Sequence, residues 1–164
     1  MTNYTTPIED LNGKPVLSIK EIMEADFPPI QWVIDGLLAP GLTLLAGPPK
    51  VGKSWLALQI AKAVGAGEQI LGRNTRKGSC LYFALEDSPR RIKTRVEMQG
   101  WDKNSSVNVV PIGMLDILYH ERVFKDFADG LAADIKDNKY RLVIIDTLSR
   151  LKTNMDQNRV EEVT

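Results

Sequence analysis

The stretch that most restricts this chain is eight residues long: Gly47-Pro48-Pro49-Lys50-Val51-Gly52-Lys53-Ser54. Apolar segments of two different kinds flank it. Ahead of it, Leu42-Thr43-Leu44-Leu45-Ala46 lies between Gly41 and Gly47. A short apolar run bounded by glycines predicts a buried strand. Behind it, residues 54–65 read SWLALQIAKAVG, with Lys62 as the only charge. A helix so apolar on most sides has to lie buried, as on the face of a sheet. Strand, glycine-bearing loop and buried helix in immediate succession commit the chain to an α/β core.

The rest of the chain repeats that alternation. Residues 79–85 (SCLYFAL) read as a second buried strand, ended by Glu86-Asp87. Ser88 and Pro89 form an N-cap and first-turn pair, opening a helix that runs through Ile92 and Val96 to Gly100. Residues 107–112 are a third strand. Phe124, Phe127, Leu131 and Ile135 fall on one face of a helix ending near Asn138. Leu142-Val143-Ile144-Ile145 is the most β-branched run and ends at Asp146. Such alternation predicts a mostly parallel sheet flanked by helices. Residues 1–38 read as a lead-in with a short helix, capped by Ser18 and Glu21 and stopped by Pro28-Pro29, and residues 39–164 as the core. The stretch 30–38 reads as a strand or an arm.

The octapeptide matches G-x-x-x-x-G-K-[ST], the phosphate-binding P-loop, whose chance occurrence in a chain of this composition is roughly 0.6%. A triphosphate needs many donors at short range, and a loop that wraps it supplies backbone N–H groups. Gly47 and Gly52 lack Cβ, so the backbone can turn and approach. The helix starting near Lys53 points its free N–H groups and positive dipole end at the phosphates. Lys53 adds a point charge at the β/γ-phosphates, and Ser54 offers a hard oxygen to Mg²⁺. Pro48 and Pro49 stiffen the loop entry. Lys50 contributes to the loop or contacts DNA or a neighbouring subunit, and Val51 completes the cradle.

Two carboxylates complete the pattern. Asp146 ends a strand, where ligands bind in open α/β sheets, and is the expected second metal-side ligand. Glu86 ends the strand after the P-loop helix and faces the same edge; it is the candidate general base. Asp87 is the alternative base, or caps the next helix.

Charge and composition narrow the remaining classes. The chain has 164 residues, 43% of them apolar, with 21 basic and 21 acidic side chains. The balance argues against a histone-like nucleic-acid binder, although bases concentrate in residues 41–103. One cysteine and one histidine leave no internal disulfide framework, multi-cysteine zinc site or histidine triad. Cys80 reads as a small core residue and His120 as a loop residue. Trp32, Trp55 and Trp101 are expected in packing more than in base stacking. No segment approaches the length of an apolar membrane span, and a cytoplasmic location fits.

The runs GLTLLAGPPKVGKSWLALQIAKAVGAG, GSCLYFALEDSPRRIKTR and RLVIIDTLSRL together resemble the RecA-like ATPases. The resemblance covers about residues 30–160 and is nearest the RepA-type branch of hexameric helicases with its AAA_25-class relatives, related to the DnaB-like helicases. It implies a RecA-like α/β core that binds Mg²⁺ and ATP, with Gly47–Ser54 as Walker A, Asp146 as Walker B and Glu86 as the catalytic glutamate. It further implies single-stranded DNA and a hexameric ring of identical subunits as partners. Arg90, Arg91 and Arg95 match an arginine-bearing stretch of unassigned role. In that family the strand after Walker B lies between the Walker B and P-loop strands. The expectation is therefore an incomplete sheet, open between 42–46 and 141–146, with poor hydrolysis by the 164 residues alone. Two other readings use the same cradle: a small-molecule kinase, and a nucleotide-binding regulatory module without turnover.

Overall fold

The computed structural model describes residues 8–9, 15–16, 18–114, 129–133, 135, 137, 139–147 and 149–150. The chain divides into two compact units, Met1–Gln31 and Trp32–Thr164. In the first, β1 (Ile8–Glu9) pairs antiparallel with β2 (Pro15–Val16), where the sequence suggested only an extended lead-in. Helix α1 (Ile19–Glu24) starts directly after Ser18, as the Ser18–Glu21 pattern predicts.

The second unit holds α2 (Lys53–Ala66), β3 (Cys80–Ala84), α3 (Pro89–Met98), β4 (Val107–Pro111) and β5 (Leu142–Asp146). Its sheet is three-stranded, ordered β4-β3-β5 and parallel throughout. The predicted parallel α/β core with flanking helices is therefore present. β3 is central and every one of its residues is buried. Both faces of a central parallel strand must be covered, which is why its sequence is apolar without alternation. One face, through Leu81, Phe83 and Leu85, packs with Val110 and the half-buried Leu131, Val143 and Ile145. The other, through Tyr82 and Ala84, packs with Ala57, Leu58 and Ala61 of α2 and Ile92 of α3.

Helix α3 keeps the boundaries its caps predict. The Ser88 side chain accepts from the Arg91 N–H, Pro89 opens the first turn, and Gly100 follows at φ 62°. Ile34, fully buried, bridges Leu38 and Thr75, so residues 32–38 form an arm laid on the core. Of the helix predicted to end near Asn138, residues 129–133, 135 and 137 are helical. Phe124, Phe127, Asn138 and the polar tail after Lys152 lie outside the described residues.

One element departs from expectation. Residues 42–46 form no strand among the described residues, and Leu42, Leu44 and Leu45 are 100%, 76% and 48% exposed. A parallel strand is held by the ladders on its two edges, and no described strand pairs with this segment. Among the described residues β5 has β3 on one side and no strand on the other.

Candidate nucleotide site

The octapeptide is a loop that closes on the first turn of α2. Residues 47–52 are exposed, while Lys53 and Ser54 are half-buried. Gly52 caps the helix at φ 94°, ψ 13°, a left-handed conformation that an L side chain rarely adopts. Lys50 also turns left-handed, at φ 66°. Gly47 is different. Its backbone lies outside that region, and a Cβ there would meet Val51 and Lys53 only at 3.6 and 3.9 Å. Gly52 is thus the glycine that the turn itself requires. The Lys53 ammonium donates to the Gly47 and Pro48 carbonyls at 2.9 and 2.8 Å, so the lysine curls into its own loop. The first turn of α2 carries no acidic residue, leaving its positive end uncompensated.

The packing of α2 brings that end to the correct edge of the sheet. At the C-terminal end of the helix, Val64 O accepts from Gly78 N at 3.1 Å and Gly65 O from the Ser106 hydroxyl at 2.9 Å. Both donors precede strands. The helix therefore runs antiparallel to β3, and Lys53 and Ser54 rise towards the edge where the strands end. Gly65 permits this approach, since a Cβ there would stand 2.9 Å from Val107 Cγ2.

The strand register brings the acids together. Ala84 pairs with Asp146, and Leu85 N donates to Asp146 O at 2.7 Å, extending the ladder by one rung. Just past this rung, the side chains of Glu86 and Thr147 come within hydrogen-bond reach of each other. The Thr147 hydroxyl donates to Glu86 Oε1 at 3.1 Å, and Arg150 Nε lies 4.0 Å from the same oxygen. Asp146 is half-buried and accepts from the Tyr82 hydroxyl at 2.8 Å through Oδ2. Burial and the adjacent Asp146 push the Tyr82 phenol well above its ordinary value, so it stays a neutral donor.

Asp87 has a separate role. It is buried and forms ion pairs with Arg91, at 3.3 Å, and with Arg95. The Arg95 guanidinium also sits 5.9 Å from the centroid of the Trp55 ring, on the first turn of α2. Gln99 Nε2 donates to Trp55 O at 3.2 Å and Trp101 Nε1 to Gln99 Oε1 at 2.9 Å. Two of the arginines that had no assigned role thus fasten α3 to Asp87 and to α2, while Arg90 is exposed. Cys80 is a buried core residue whose thiol burial pushes up to about 12. His120 lies outside the described residues.

Sequence reasoning missed Tyr82 and Thr147. Thr147 is adjacent to Asp146, but its partnership with Glu86 depends on how the ends of β3 and β5 come together. Tyr82 looks like one more apolar core position until its diagonal relation to Asp146 is known.

The donor set suits Mg²⁺. Among the described residues no group of three or more His, Cys, Asp or Glu is placed to hold a metal. Mg²⁺ is bound by one or two carboxylates with phosphate and water filling its octahedron. Asp146 and Ser54 are donors of that kind, and the nucleotide would supply the rest. No described helix is long and apolar enough to cross a membrane.

The family model of an AAA domain (AAA_25) matches residues 10–164. A shorter similarity runs to ABC transporter G family member 31 of Oryza sativa subsp. japonica, 35% identical over 74 residues. That stretch is 44% of this chain and 5% of the transporter, so the chain spans a small part of that relative.

Proposed function

The chain belongs to the AAA domain family, and from that premise we propose that it binds Mg-ATP at Gly47–Ser54 and hydrolyses it as a DNA-dependent ATPase of the RepA helicase type. The observation that carries this reading is the shared edge. The positive end of α2 and the carboxylates of Glu86 and Asp146 all rise where β3 and β5 end. Lys53 would release the Gly47 and Pro48 carbonyls for the β/γ-phosphates. Asp146 and Ser54 would hold Mg²⁺, which neutralises charge on the phosphates. Glu86, held at its edge by Thr147, would accept the proton of the attacking water, a role typically worth 10²–10⁴-fold. Single-stranded DNA and a hexameric ring belong to the proposal as partners of the whole protein, acting in the cytoplasm.

A kinase needs a phosphoryl acceptor and no carboxylate at position 86, whereas a regulatory module needs binding alone. Phosphate release is measured with and without single-stranded DNA, and with candidate acceptors. DNA-stimulated release supports the helicase-type ATPase. Transfer to an acceptor, or tight binding with no turnover in the full-length protein, overturns it.

A further inference from the structure

We propose that Tyr82 is a positioning residue: its buried hydroxyl orients the Asp146 carboxylate towards the metal side of the nucleotide site. This rests on the nucleotide reading of the loop.

The argument begins with register. Tyr82 pairs with Ile144 and Ala84 with Asp146, so Tyr82 lies two rungs back on the neighbouring strand. With strands about 4.8 Å apart and a rise of about 3.3 Å per residue, that offset is about 8 Å between backbones, within reach of an aromatic side chain. The phenol spans that distance and donates to Oδ2 at 2.8 Å. Its ring has almost no freedom. Tyr82 is 1% exposed and shares a cluster with Ala57, Leu58, Ala61, Ala84 and Ile92. The bond is therefore anchored from the protein side and not from solvent.

An ionised carboxylate accepts through both oxygens, and a phenol only has one proton to give. With Oδ2 engaged and no hydrogen-bond partner for Oδ1 among the described residues, Oδ1 is the oxygen left for a cation or its water shell. Without the phenol, rotation about the Cβ–Cγ bond exchanges the two oxygens, and binding a metal must then select one orientation. Groups that orient a metal ligand in this way typically change metal affinity 10–100-fold when removed. Packing alone does not require the hydroxyl. A phenylalanine would fill the same cavity, and every other partner in the cluster is apolar.

The test is ATP binding to the 164-residue chain by calorimetry, without metal and across a Mg²⁺ titration. The variants are Tyr82→Phe, Asp146→Asn and the double substitution. Tyr82→Phe is expected to raise the Mg²⁺ concentration at half-effect about tenfold, with metal-free ATP affinity within twofold of wild type. Added to Asp146→Asn, it should change nothing further, because its effect passes through the carboxylate. An unchanged Mg²⁺ titration in Tyr82→Phe overturns the proposal. So does an equal loss of metal-free binding, which would mark a purely structural role, or an undiminished effect in the Asp146→Asn background. If the wild-type chain binds ATP under neither condition, the loop reading fails and this proposal with it.

Discussion

Glu86 and Asp87 are consecutive acids, and converting each to its amide should give opposite results. The Asp87 side chain is 7% exposed and faces Arg95 at 17% and Arg91 at 63%. In Asp87→Asn the Arg95 cation is left largely dry, over Trp55, with no counter-charge. Breaking a fully buried pair by removing one charge costs about 3–5 kcal/mol. Here the amide keeps one acceptor oxygen and Arg91 returns to water, so about 2–3 kcal/mol is expected. For a chain of this size each kcal/mol moves the melting temperature by about 2–4 °C, so the drop is about 4–12 °C. Glu86 is 49% exposed, and its contacts with Thr147 and Arg150 lie at the sheet edge. Glu86→Gln should melt within about 2 °C of wild type. It should bind ATP as wild type does and, in the full-length protein, lose phosphate release by 10²–10⁴-fold. Circular-dichroism melts and phosphate-release assays on the two variants check both halves. Asp87→Asn that melts like wild type but loses turnover, beside an active Glu86→Gln, would refute the reasoning and make Asp87 the base.

Lys53→Ala should abolish or severely weaken ATP binding measured by calorimetry, since it removes the one side-chain charge aimed at the phosphates. Gly65→Ala should destabilise the fold by about 0–2 kcal/mol in urea titrations: the helix gains about 1 kcal/mol in propensity, but overpacking against the stiff Val107 costs about 1–3 kcal/mol. Alkali should also destabilise the fold. The Cys80 thiol is raised from 9.0 to about 12 in the folded chain, so the unfolded chain releases its proton first. Stability is then intact below about pH 9 and declines as pH rises towards 12, with Tyr82 adding to the decline above 10. Urea midpoints across that range test this, and Cys80→Ala should lessen the slope. Native Cys80 should resist maleimide at about pH 8 and react once denaturant is added.

By itself the sequence determined what depends on neighbours along the chain. The Gly52-Lys53-Ser54 junction starts α2 because a left-handed turn, a cap and an apolar helix are all local. Ser88, Pro89 and Gly100 bound α3 for the same reason. The apolar runs at 80–84 and 142–145 announced parallel strands, and these pair with Ala84 opposite Asp146. Tertiary structure decided the rest, because cross-strand partners are chosen by register and not by spacing. Only register gives Tyr82 to Asp146, and only the approach of the two strand ends gives Thr147 to Glu86. Only the docking of α3 makes Asp87 an anchor for Arg95 while its neighbour stays open. Residues 42–46 show the same limit from the other side. Their apolar character was legible, yet a run of leucines becomes a buried strand only where a second backbone supplies the missing hydrogen bonds.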